Sequence, residues 1–144
     1  NCPGEYEVKG SFVYGVGAKF GKDAKTMYLI EVEGIKIVHL GNIDDAKLNE
    51  DQLDKLDGVD VLMVPVGGGD SLDNKKAMEV VNSIEPRIVV PMNYKVKGFK
   101  TKVETVDKFS KDLSAKSETV KKYKISKKDL PQDDIRLVII EPSK

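Results

Sequence analysis

Histidine is almost missing from this chain: His39 is the only one in 144 residues, beside a single cysteine, Cys2, and no tryptophan. A lone cysteine excludes an internal disulfide and fits a reducing compartment, so a cytoplasmic location is expected. Ser11, Ser71, Ser83 and Cys2 have no base partner other than that one histidine, which leaves a Ser/Cys–His–acid triad unsupported. Long apolar runs are lacking too. Val59 to Val66, interrupted by Asp60, is of strand length and far short of a bilayer span, so no membrane partner is expected. No basic-then-apolar leader stands at the amino end, and secretion is not expected.

What is present is a globular composition, 40% hydrophobic and 33% charged, with a net charge of zero. The length suits one domain spanning residues 1–144. Charge is unevenly spread. Acids outnumber lysines by about seven from Asp44 to Asp73, while Lys95 to Lys128 carries about eight excess positives. The lysine-rich stretch contains no arginine, and Phe99, Phe109 and Tyr123 form no stacking pattern, which argues against nucleic acid as a partner.

Periodicity predicts a mixed α/β unit. Glu5 to Lys9 and Ser11 to Val16 alternate as strands, the second broken at Gly15 and Gly17, and Gly21 to Lys25 reads as a polar loop. Thr26 to Val32 and Ile35 to Leu40 form a hairpin across Glu33-Gly34, where glycine accepts a positive φ. Asn49 caps a short helix to Leu56. Val59 to Val66 is a buried strand stopped by Gly67-Gly68-Gly69. An amphipathic helix follows from Asp73 to Ile84, and then a strand from Arg87 to Val90 ended by Pro91. These three make a β-α-β unit with parallel strands. Lys102 to Asp112 is spaced as a helix, Tyr123 to Ile125 as a short strand, Ser126 to Asp129 as a capped turn, and Ile135 to Ile140 as a closing strand.

In open α/β sheets, functional groups gather at the carboxyl ends of buried strands. Three ends stand out here: His39 to Asp45, Val66 to Asp70, and Pro91 to Lys95. Two of them reach an asparagine, Asn42 and Asn93, and a carboxamide lacks the charge that makes a carboxylate a good partner for a cation. His39 lies in an apolar strand, where a hydrogen-bonded structural role is expected before a ligand role. Asp44 and Asp45 offer oxygen atoms to Mg²⁺ or Ca²⁺, although acids leading a surface segment are far commoner. Gly67 and Gly68 invite a phosphate-loop reading. No Gly-Lys-Ser/Thr follows, however, and Asp70 and Asp73 oppose an anion, so a tight turn with Ser71 or Asp73 as helix cap is favoured.

Taken with their flanks, these segments resemble the carboxyl-terminal two-thirds of a bacterial group of metallo-β-lactamase-superfamily proteins, the metal-dependent hydrolases. The resemblance rests on residues 3–10, Thr26 to Glu31, Val38-His39-Leu40-Gly41, Asp60 to Gly68, and Glu85 to Tyr94. It implies an αββα sandwich with mixed β-sheets flanked by helices, here amino-terminally incomplete, since the chain opens at Asn1 and the family's His-x-His-x-Asp-His cluster is not in it. Active members hold one or two metal ions, usually zinc, whose bound water attacks a carbonyl or phosphoryl centre. Mapped onto that pattern, the bridging aspartate corresponds to Asn42 and the last histidine, before Tyr94, to Asn93. A further histidine expected after Val16 has no counterpart from Gly17 to Lys25. The expectation is therefore a metal-free, non-catalytic relative with a binding or structural role and no cofactor. Its degenerate pocket is lined by His39, Asn42, Asp44, Asp45, Gly67, Gly68, Asn93 and Tyr94. The alternative is a metal-dependent hydrolase of phosphoesters or esters, using zinc or another divalent metal at a divergent site completed by an upstream segment. A small molecule or protein is the expected partner, and homo-oligomerisation is expected if sheet edge and apolar surface stand uncovered.

Overall fold

The computed structural model describes the backbone of residues 4–20 and 23–142, and the side chains of 4–17 and 25–142. Cys2 and Pro3 lie outside it, as do residues 21–22 of the expected polar loop. Among the described residues, eight strands form one sheet in the order β1-β2-β3-β4-β5-β6-β8-β7. Strands β1 (Glu5–Val8), β2 (Ser11–Phe20), β3 (Asp23–Val32) and β4 (Ile35–His39) pair antiparallel. From β4 onward, β5 (Val61–Pro65), β6 (Ile88–Met92), β8 (Arg136–Ile140) and β7 (Lys116–Val120) run parallel. Helices α1 (Glu50–Lys55), α2 (Asn74–Ile84) and α3 (Val106–Leu113) flank the sheet.

The period of two along the strands divides the core between the two faces. Leu62 and Val64 of β5 turn to the cluster that holds Val38, Leu40, Val89, Leu137, the buried α2 residues Ala77, Val80, Val81 and Ile84, and Phe109 of α3. Val61 and Met63 turn to the other face with Ile35, Ile88, Val90 and Val138, where Tyr123, Ile125 and Leu130 lie against them. Each fully buried side chain of this kind stabilises the fold by about 1.5–3 kcal/mol, and the parallel neighbours β5 and β6 are buried at nearly every position. No helix among the described residues is long and apolar enough to cross a membrane.

Most expected elements are present, and each departure has a local cause. The hairpin at Glu33-Gly34 forms with both residues at positive φ, 50° and 75°. Asn49 and Gln52 make a reciprocal capping box on α1, and Asp73 caps α2 by accepting from Lys76 N–H. Strand β2 does not break at Gly15 or Gly17: both keep register with β3, opposite Tyr28 and Thr26. Lys25 accordingly belongs to β3 and not to a loop. Strand β6 runs through Pro91 to Met92, because β8 pairs only with Ile88 and Val89 and makes no ladder bond beside the proline. Helix α3 starts at Val106 and not at Lys102. Glu104 N–H donates to Gly67 O (2.9 Å) and Glu104 O accepts from Lys95 N–H (2.8 Å), which holds that stretch against the strand ends. The late strand is Lys116–Val120 rather than Tyr123–Ile125; the latter residues pack on the second apolar cluster instead. Ser126 to Asp129 makes a single 3-10 turn with the expected cap.

Candidate functional site

Strands β4, β5 and β6 are parallel neighbours, so the three expected ends meet on one edge of the sheet. Their geometry is fixed by backbone contacts. Leu40 N–H donates to Met63 O, Val66 N–H to Met92 O, and Leu72 N–H to Ile43 O. Gly41 sits at φ 63°, and a Cβ there would lie 2.8 Å from Thr26 O. Asn93 adopts a left-handed conformation, φ 53°, which asparagine tolerates better than most residues.

That turn aims the Asn93 carboxamide across β5. Its Nδ2 donates to Asn42 Oδ1 at 3.2 Å, joining two residues 51 positions apart. Both side chains are exposed. Tyr94 reaches the other way, its hydroxyl donating to Ile140 O at 3.3 Å on β8. Burial, and secondarily the Glu141 carboxylate, push the Tyr94 phenol above its ordinary pKa, so it stays protonated at neutral pH.

The remaining candidates are engaged locally. His39 is half-buried, and its Nδ1 accepts from Gly41 N–H at 2.9 Å, which places the proton of the neutral ring on Nε2. Neither ring nitrogen of that tautomer has a lone pair free for a metal. Asp44 Oδ2 meets Lys25 Nζ at 2.9 Å, and that ammonium, as hydrogen-bond donor and as charge, holds the Asp44 carboxyl below its ordinary pKa. Asp44 Oδ1 is shielded and unpartnered, although the side chain as a whole is about half exposed. Lys76 Nζ donates to the Asp44 carbonyl at 2.7 Å. Asp45 accepts from Lys47 N–H at 3.2 Å. Gly67 and Gly68 form the turn after β5: Gly68 N–H donates to Leu72 O, and Ser71 Oγ to Gly68 O. The expected tight turn is thus what forms there.

The edge brings together the side chains of Asn42 and Asn93, with Gly67 packed behind Asn93, while Tyr94 turns to β8. His39, Asp44 and Asp45 face partners of their own. Sequence reasoning missed Lys25, Lys76 and Glu104, which arrive from β3, α2 and the approach to α3; no motif marks them.

These donors do not fit a divalent cation. Two neutral amides, one already bonded to the other, a histidine bonded through Nδ1 and a carboxylate paired to lysine supply too little charge and too few free lone pairs. Among the described residues no three of His, Cys, Asp or Glu gather in a group able to hold a metal ion.

The fold places the chain with the metallo-β-lactamase-like α/β proteins. Residues 3–93 match the family model described as the beta-lactamase superfamily domain, and the chain belongs to that family. A Thermotoga maritima protein assigned to the zinc-dependent hydrolases of the metallo-β-lactamase superfamily superposes with a TM-score of 0.82 at 28% identity, covering 98% of this chain and 71% of that one. A metal-dependent hydrolase of Thermococcus onnurineus is 38% identical over 68 residues, 46% of this chain and 30% of that protein. A metal-dependent hydrolase of Methanosarcina mazei is 28% identical over 115 residues, 79% of this chain and 48% of that protein. The chain thus spans about half the length of these curated relatives, or less. The group is not bacterial alone, as the sequence had suggested, because both of these relatives are archaeal.

Proposed function

We propose that this edge is a metal-free, non-catalytic pocket with a binding or structural role. The observation that carries the reading is the direct contact between the Asn42 and Asn93 carboxamides, at the positions where the family resemblance calls for an aspartate and a histidine. Amides bonded to each other offer neutral donors and acceptors and no strong charge, which suits hydrogen bonding to a small molecule or protein group. The test is metal analysis after saturation with Zn²⁺, Mn²⁺ and Mg²⁺ and exhaustive dialysis. Substoichiometric metal, unchanged in an Asn42→Ala/Asn93→Ala variant, is expected. Stoichiometric metal that the double substitution removes overturns the reading.

A second reading is a hydrolase of phosphoesters or esters that uses a divalent metal. Two observations favour it: relatives bear the name metal-dependent hydrolase, and Asp44 Oδ1 is a shielded carboxylate oxygen without a partner. Here the further ligands would come from beyond the described residues. Chelator-sensitive turnover of generic phosphodiester or ester substrates supports it, and absence of turnover with metal supplied counts against it.

A further inference from the structure

A cleft of about 670 Å³ opens on the same strand edge, on the β8 side of Tyr94 and away from the amide pair. Its walls are the loop after β6, the start of α3 and the carboxyl ends of β7 and β8. Val96, Phe99, Val106 and Ile139 make it apolar. Phe99 is 66% exposed there, an aromatic ring that the core does not use. The volume lies within the range of roughly 300–1,000 Å³ common to small-molecule sites.

Charge decides what such a cleft would take. Lys95 and Lys97 flank Val96 on one wall, and none of the ion pairs found among the described residues involves either ammonium. Two carboxylates also line the cleft. Asp107 lies in the first turn of α3, where its charge meets the positive end of the helix. Glu141 lies near the Tyr94 phenol, and none of the ion pairs found among the described residues involves its carboxylate. With Asp107 set against the helix end, two ammonium groups face the one remaining carboxylate, Glu141, beside an apolar surface that the lysine methylene stems extend.

We propose that this cleft binds a small-molecule carboxylate with an apolar body, the body lying on Phe99, Val106 and Ile139 and the carboxylate meeting Lys95 and Lys97. The assignment stands whether or not the neighbouring amide edge carries a metal. Octanoate and octanamide are matched probes, alike in chain and unlike in charge. Titrated into ¹⁵N-labelled protein, octanoate is expected to give saturable shifts across Lys95 to Phe99, at Val106 and at Ile139. Octanamide is expected to bind the same residues about fivefold more weakly or worse, the scale of one lost charge-assisted contact. A Lys95→Gln/Lys97→Gln variant should lose that preference and bind both probes alike. Phe99→Ala, a change at an exposed position that leaves the core intact, should weaken both. The proposal is overturned by absence of saturable shifts, by equal affinity of the native protein for the two probes, by an unchanged preference in the lysine variant, or by shifts that map to the Ile37 and Met63 face of the sheet.

Discussion

At the scale of single residues, Gly67 shows how closely the strand ends are packed. Its φ is not positive, unlike those of Gly68 and Gly69, so conformational freedom is not the reason for glycine there. A Cβ at Gly67 would sit 2.0 Å from Asn93 O and 3.1 Å from Tyr94 Cα, both backbone atoms that cannot swing away. Gly67→Ala must therefore push the end of β6 from the end of β5. A loss of about 1–3 kcal/mol is expected, the usual cost of overpacking a tight site, with the Asn93 and Tyr94 amide resonances displaced. Unchanged resonances and an unchanged urea midpoint would contradict the close approach. The sequence showed three glycines and hence a turn; it could not show that the first is selected by a neighbouring backbone and the other two by their own torsions.

Asp44 makes a pH-dependent contribution at the same scale. The Lys25 ammonium lowers its folded-state pKa below the ordinary 3.8, so its stabilising effect is complete above that value and is lost as pH falls through the lower folded one. Water screens a side chain that is about half exposed, which limits the pair to at most about 1 kcal/mol. Wild type and Asp44→Asn should differ slightly in denaturation midpoint at neutral pH and converge in strong acid. A gap that does not change with pH would assign the effect to something other than this charge.

At the scale of elements, legibility followed how local the cause was. Helix α2 could be read because its apolar spacing and the Asp73 cap lie within one stretch of chain. The first part of the expected α3 could not, because Glu104 is held by Lys95 and by Gly67, the latter far away in sequence. Strand β7 went unread because Lys116 to Val120 is mostly polar, as befits an exposed edge paired on one side only. The α2–α3 junction also depends on a remote pair: Asn74, buried at 4% exposure, donates through Nδ2 to Asp112, and its Oδ1 already lacks a partner. Asp112→Ala would leave that amide unpaired at both ends. A cost of about 1–3 kcal/mol is expected, and the single substitutions Asn74→Ala and Asp112→Ala should be strongly non-additive in a double-mutant cycle. Additivity would show that the two helices do not rely on this bond.

At the scale of the whole molecule, the meeting of three strand ends was legible because a β-α-β crossover and a hairpin leave few other orders for β4, β5 and β6. The partners Lys25 and Lys76 were not, since nothing short of the assembled sheet brings them to Asp44. The same assembly sets a gradient of stability. In β5 and β6 nearly every residue is buried and apolar clusters cover both faces, whereas all four residues of β1 are exposed and β1 pairs with β2 alone. Local opening of β1 uncovers no buried side chain, while opening β5 breaks both clusters at once. Hydrogen exchange should therefore find the amides of Leu62 to Val64 and of Val89 and Val90 exchanging only through global unfolding. Those of β1 should exchange through local opening with protection lower by about two orders of magnitude or more, equivalent to about 3 kcal/mol. Substitution of Val80 in α2 by alanine should lower protection in β5 and β6 by the full loss of global stability and leave β1 untouched. Equal protection in β1 and β5, or a fall in both with Val80→Ala, would mean that the sheet opens as one unit and that no such gradient exists.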